Sequence, residues 1–253
     1  MCIFIANEEN STFVGIGVDQ LAKEGYMDEL KTGPLFWVDA ADSEPCVGTA
    51  GNVQWQLDFK GKLFHSGLPH RGINSIEFAM DAVNYIQKRF YGEYGPHPEE
   101  ERYNFMTSST MKPTQVSCAA GALNQLPPST TVQGDIRLVP FYDIKAAKKT
   151  VEDCVAEINA NPEIVNQSML HGPHSKYVLS EGDGKGAVVL KWITEGENGI
   201  ACDLESVGHK ALLSATTEIL GKAKHYSVSG CFSICYSMYC TVLSKHERLL
   251  SNF

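Results

Sequence analysis

From Val53 to Lys60, apolar and polar residues alternate without a break: Val53, Trp55, Leu57 and Phe59 against Gln54, Gln56, Asp58 and Lys60. A period of two is a strand with one buried face and one wet face. Such a strand belongs to a sheet covered on one side only, which is the antiparallel kind. The neighbouring sequence must then supply partner strands and a cover. A helix is predicted from about Ser75 to Phe90, with Ile76, Ala79, Val83, Ile86 and Phe90 on one side. Strands are predicted over 113–119 and 131–139, joined through a loop at 121–128. Asp143 caps a second helix carrying Ile144, Ala147, Val151, Val155 and Ile158, and 187–192 is the last strand. The order β-α-β-β-α-β is the ferredoxin-like layout, an antiparallel sheet with two helices on one face.

The flanks read differently. Residues 2–6 form a short unbroken apolar run, 15–31 are helix-like, and Leu35–Val38 is a second apolar run that ends on Asp39. Strand, helix and strand with fully apolar strands is the parallel α/β pattern, in which chemistry collects beyond the carboxyl ends of the strands. Ser206 caps a further helix through Lys222, with Ala211, Leu212, Ala215 and Ile219 inside. The expected fold class is therefore α/β. Residues 1–48 and 201–253 form a partial parallel-sheet domain, and 49–200 form a ferredoxin-like domain inserted into it. A first residue placed directly on a core strand predicts that the chain begins in the middle of a domain. The glycine-rich stretch 182–186 reads as a surface linker.

Thirty acidic against 21 basic side chains give a net charge of −9 over 253 residues, and the isoelectric point is near 5.4. That balance argues against nucleic acid or an anionic membrane as partner, since phosphate binding runs on clustered Lys and Arg. No apolar stretch approaches the roughly 20 residues of a membrane helix. The N-terminus has no basic segment before its apolar run and does not read as a signal peptide. The eight cysteines follow no secreted disulfide framework, which predicts free thiols in a reducing compartment, the cytoplasm. Cys231, Cys235 and Cys240 lack the paired spacing and the His pair of a zinc site.

Few residues could carry chemistry. Glu8 and Glu9 follow the first apolar run, and such a pair is either a solvated turn or a metal ligand beside a general base. Asp39 could add a ligand, with Asp42 close by. His65 precedes Ser66-Gly67, a tight turn that could present an imidazole outward. Arg137 falls on a strand, as an edge ion pair or as a bidentate clamp on a carboxylate. Asn124 lies in the loop between strands, where turn chemistry alone would explain it.

Together, in this order, these residues resemble metallopeptidase family M20, and within it the plant-type acetylornithine deacetylase group. The resemblance is carried by Ala6-Asn7-Glu8-Glu9, Trp37-Val38-Asp39-Ala40-Ala41-Asp42 and Cys46-Val47-Gly48-Thr49-Ala50-Gly51. It continues through Gly61-Lys62-Leu63-Phe64-His65-Ser66-Gly67-Leu68 and Ser109-Thr110-Met111-Lys112-Pro113-Thr114-Gln115. Asn124-Gln125-Leu126-Pro127, Gly134-Asp135-Ile136-Arg137-Leu138 and Pro140-Phe141-Tyr142-Asp143 extend it. The resemblance implies a zinc-hydrolase domain with an inserted lid that pairs two chains into a homodimer. It implies two zinc ions per site, with cobalt as a substitute, and a small N-acylated amino acid as substrate. By the same resemblance Glu8 is the catalytic base, and Glu9 and Asp39 are ligands to the two metals. His65 is a lid histidine that reaches across the dimer to the reacting carbonyl, and Asn124 and Arg137 bind substrate.

The family also carries a His-x-Asp ligand motif upstream of the Glu-Glu pair and a late zinc-binding His. This sequence holds no His followed two positions later by Asp, and His246 arrives early. The reading at this point is an M20 amidohydrolase, shortened at the N-terminus and altered at the C-terminus, with weakened zinc binding. Its alternatives are a non-catalytic dimerising lid and an M20 dipeptidase or aminoacylase of other specificity. A missing upstream targeting segment would make the compartment a plastid.

Overall fold

The computed structural model describes residues 18–28, 33–36, 44–166, 170–180 and 184–230. The chain divides into two compact units, one of residues 1–49, 101–106 and 200–253, the other of residues 50–100 and 107–199. Among the described residues no helix is long and apolar enough to cross a membrane.

The second unit is built on the alternating strand. β2 (Gly51–Lys60) buries Val53, Trp55, Leu57 and Phe59. It pairs antiparallel with β6 (Ser129–Leu138) over ten consecutive positions, from Gly51 opposite Leu138 to Lys60 opposite Ser129. β4 (Thr110–Cys118) lies outside β6 and β7 (Ala187–Trp192) outside β2, so the sheet order is β4-β6-β2-β7. All its pairings are antiparallel. Taken in sequence as first to fourth strand, the spatial order is 2-3-1-4, that of the ferredoxin-like layout.

Two helices cover one face. α2 (Ser75–Glu93) starts at Asn74, whose side chain accepts from the Ile76 N–H, and α3 (Ile144–Ala160) starts at Asp143, which accepts from the Lys145 N–H. α3 buries Ile144, Ala147, Val151, Val155 and Ile158, while α2 buries Phe78, Ala79, Ala82, Val83, Ile86 and Phe90. Ile76 belongs to the exposed side of α2, contrary to its expected place. Phe59 meets Phe78 edge-on at 5.5 Å between ring centres, and Phe78 packs on the buried Tyr177 at 4.8 Å. Each such fully buried large side chain contributes about 1.5–3 kcal/mol. The Gly186 backbone lies against Phe78, so this glycine is packed core, not simple linker.

The uncovered face carries a polar mesh. Gln133 donates to Gln56, Gln56 and Thr131 donate to Asp58, and Lys191 pairs with Asp58 at 2.6 Å. Desolvation would raise Asp58, but the hydrogen bonds from Lys191, Gln56 and Thr131 outweigh it and hold the carboxyl below its ordinary range.

In the first unit, β1 (Cys46–Thr49) is the middle strand of a small sheet, antiparallel to β8 (Ile200–Ala201) and parallel to β9 (Tyr226–Val228). Helix α1 covers Val18–Lys23 within the expected 15–31. α4 (Val207–Leu220) is capped by Ser206, which accepts from the His209 N–H, and ends at Gly221 with φ +74°. Leu35 and Phe36 lie outside any strand and are exposed, and the rest of that expected strand falls outside the described residues, as does the one at 2–6. α4 buries Gly208, which lies against Pro34, whereas Leu212 and Ile219 of its expected inner side are exposed.

Candidate functional site

The antiparallel pair of β2 and β6 continues past its paired end as a narrower ribbon. Gly61 N–H donates to Pro128 O at 2.8 Å, and β3 (Phe64–His65) pairs with β5 (Gln125–Leu126). His65 stands opposite Gln125 on this ribbon, with its ring exposed. A tight turn follows: Leu68 N–H donates to His65 O at 2.9 Å, and Gly67 N–H donates to His65 Nδ1 at 3.0 Å. A ring nitrogen that accepts carries no proton, so the neutral imidazole is held with its proton on Nε2.

Nε2 faces Asn124. Ser66 N–H donates to Asn124 O at 2.9 Å, and the Asn124 side-chain amide stands 3.4 Å from Nε2. Two residues 59 positions apart in sequence thus form one exposed polar pair at the tip of the ribbon.

Arg137 lies elsewhere. It pairs with Asn52 and Thr110 near the far end of β6, and its side chain is half-buried on the uncovered face. Its Nε donates to Asp135 Oδ2 at 2.7 Å, an ion pair two residues apart on one strand face. β6 is a central strand, so this is not the edge pair expected. Eight extended residues separate Arg137 from Ser129, about 25 Å at 3.3 Å per residue. Within one chain the structure therefore brings His65 and Asn124 together and keeps Arg137 away from both.

Glu8, Glu9 and Asp39 lie outside the described residues. Among the described residues no three His, Cys, Asp or Glu side chains are placed to hold a metal ion, so these residues do not by themselves fit zinc. What they offer is an imidazole N–H donor with a neighbouring amide, and at a distance an oriented guanidinium. The Gly67 N–H that fixes the His65 tautomer had only the Ser66-Gly67 turn as its signal in the sequence.

Residues 47–163 match a peptidase dimerisation domain, that of the M20 family. The chain is 49% identical over 230 residues to the acetylornithine deacetylase of Arabidopsis thaliana, covering 91% of this chain and 51% of that protein. It is 45% identical over 232 residues to the acetylornithine deacetylase of Dictyostelium discoideum, covering 90% and 51%. The chain thus spans about half the length of these curated relatives. Among solved structures, the dipeptidase Dug1p of Saccharomyces cerevisiae matches with a TM-score of 0.56 at 14% identity, covering 90% of this chain and 54% of that one. Human carnosine dipeptidase 1 matches with a TM-score of 0.56 at 13% identity, covering 92% and 56%. At these identities the structural likeness shows the fold.

Proposed function

This chain belongs to metallopeptidase family M20 and is acetylornithine deacetylase-like in sequence, and from that membership we propose that it serves the metal-dependent hydrolysis of N2-acetylornithine. Water adds across the amide bond, giving acetate and the free amine of ornithine, a step of arginine synthesis. The observation that carries the reading is the 49% identity to a protein of that name over nine-tenths of the chain. Two zinc ions belong to the proposal; Glu9 would be a ligand to one and Asp39 to the other, they would supply Lewis acidity at the amide carbonyl, and Glu8 would be the base beside them. The setting in this reading is the cytoplasm, or a plastid.

The roles proposed for the described residues follow from their chemistry. His65 donates from Nε2 to the oxygen that gains charge as the carbonyl becomes tetrahedral, and Asn124 supports that donor. Arg137 grips the amino-acid carboxylate, with Asp135 holding Nε and so setting the plane of the guanidinium. A substrate of this size cannot bridge about 25 Å of strand. The proposal therefore has His65 and Asn124 of one copy complete the site of a second copy, whose own Arg137 holds the carboxylate.

The pairing surface proposed is the outer edge of β4. That strand closes one side of the sheet, is exposed from Lys112 to Cys118, and presents Val116 to solvent. A bare edge this long is a template for another strand, and it lies in the segment matched to a dimerisation domain.

Subunit complementation tests the reading. H65A and R137A should each lose about 10²-fold or more in N2-acetylornithine hydrolysis, assayed by amine release with zinc or cobalt supplied. An equal mixture of the two, dissociated and reassociated, should recover about a quarter of the parent activity, since half the dimers carry one intact site. Mixtures no better than their components would remove the shared-site arrangement. A parent protein that leaves N2-acetylornithine intact while cleaving another N-acyl amino acid or a dipeptide would overturn the substrate.

A further inference from the structure

The turn that follows β7 presents a carboxylate on the sheet face that carries Arg137. Asn52 stands opposite Arg137 on one side and opposite Glu197 on the other, so the three side chains share one row and one face. Two backbone hydrogen bonds close the second pairing, from Asn52 N–H to Glu197 O at 3.0 Å and from Glu197 N–H to Asn52 O at 2.9 Å. The Arg137 and Glu197 backbones are therefore two strand spacings apart, about 9.5 Å. The turn is tethered from several directions. Gln54 N–H donates to Thr194 Oγ1 at 3.0 Å, Lys148 Nζ to Glu195 O at 2.9 Å, and Ile144 N–H to Asn198 Oδ1 at 2.8 Å. Gly196 bends the chain at φ +86°, and Gly51 lets the turn close on β2, since a Cβ there would run into Glu197 O. Glu197 is thus held at a fixed place relative to the guanidinium. The acids that β2 and β6 add to this face are engaged by cations of the sheet, Asp58 by Lys191 and Asp135 by Arg137.

We propose that Glu197 binds the side-chain ammonium of the substrate and so selects N-acyl amino acids whose side chain ends in a cation. The inference rests on the reading that Arg137 grips the amino-acid carboxylate. In N2-acetylornithine five bonds separate the carboxylate carbon from the δ-nitrogen, about 6 Å when extended. A charge-assisted hydrogen bond at each end adds about 3 Å, giving a reach of about 12 Å at full extension and less when the side chain bends. That reach covers the row from Arg137 to Glu197. The two fixed charges thus read a ligand with a carboxylate at one end and an ammonium at the other. An acidic side chain is repelled at Glu197, and an apolar one brings no counter-charge to it.

Binding measured without added metal keeps recognition apart from turnover. Titrations of the full chain, followed by ligand NMR, compare N2-acetylornithine with N2-acetylnorvaline, which has the same carbon chain and no amine. The parent should bind N2-acetylornithine about 10- to 100-fold more tightly, the worth of one charge-assisted hydrogen bond. E197Q should lose that preference by weakening N2-acetylornithine alone, and its unchanged grip on N2-acetylnorvaline checks that the variant is folded. E197D should recover part of the preference, and R137A should weaken both ligands alike. Equal affinities in the parent, or an E197Q loss shared by both ligands, would overturn the role of Glu197 and leave the hydrolysis proposal standing. A preference that depends on Glu197, in a protein that cleaves no N2-acetylornithine when given zinc or cobalt, would sink the hydrolysis and keep the cation site. Binding of neither ligand would overturn the cation site as well.

Discussion

Gly72 offers a direct way to move the His65 ribbon without touching its chemistry. Its backbone is extended, at φ −129° and ψ 179°, a conformation open to any residue. The demand for glycine is therefore spatial. A Cβ added there would stand 2.6 Å from Phe64 Cβ, 2.8 Å from Leu126 Cδ1 and 2.9 Å from Lys62 O. Ordinary carbon contacts lie near 3.5–4.0 Å, so the ribbon must shift by about 1 Å to admit it. Overpacking of this kind costs about 1–3 kcal/mol, which for a chain of this size lowers Tm by about 3–10 °C. A 1 Å displacement of a catalytic group costs on the order of 10²-fold. G72A should therefore show both a lower Tm by calorimetry and a fall in kcat/KM of about that size, with changed 15N shifts of the His65 ring. A variant that melts within about 1 °C of the parent, with the His65 resonances unmoved, would refute the claim that Gly72 sets the ribbon's position.

Other perturbations have equally definite outcomes. The hydrogen bond from Arg89, followed by that from Tyr85, holds the Glu157 carboxyl below its usual 4.5. The stability it adds is present above the unfolded value and lost as pH falls through the lower folded one. E157Q should therefore flatten the Tm–pH curve as pH falls below about 4.5. Burial pushes the Cys154 thiol up to about 11, so mass-spectrometric mapping of alkylation at pH 8 should find Cys154 modified at least ~10-fold more slowly than the exposed Cys118. On the β4 edge, V116E should weaken self-association at least ~10-fold by sedimentation, since like charges would face each other across a strand pair; an unchanged dimer would move the interface elsewhere.

The sequence was most informative where one physical signal acted over many residues. Eight positions of β2, Val53 to Lys60, carry the alternation, and Asp143 and Ser206 cap the helices they were expected to cap. Short elements left no such trace. β3, β5 and β8 have two residues each, too few for any period, and β1 exists because β9, some 180 residues later, pairs with it. Leu35 and Phe36 are apolar yet exposed, a reminder that an apolar run does not establish a strand. For the site, residue types alone made His65, Asn124 and Arg137 candidates. That the first two meet at a ribbon tip, while the third lies far along β6, depends on register, which spacing in the sequence does not encode.

The strand order has a consequence for how the chain acquires its shape. β2 occupies the interior of the sheet, yet both its neighbours come much later: β6 begins about 70 residues after β2 ends and β7 about 130. At translation rates of roughly 5–20 residues per second, β2 waits on the order of 10 s for its second partner to leave the ribosome. Until β6 emerges, Trp55, Leu57 and Phe59 have no sheet to join, and until β7 follows one edge of β2 stays unpaired. Pairings this distant in sequence fold slowly even once the whole chain is free. A nascent chain built this way depends on chaperone cover. Its yield in cells should respond to chaperone supply and growth temperature more steeply than the stability of the finished fold would suggest.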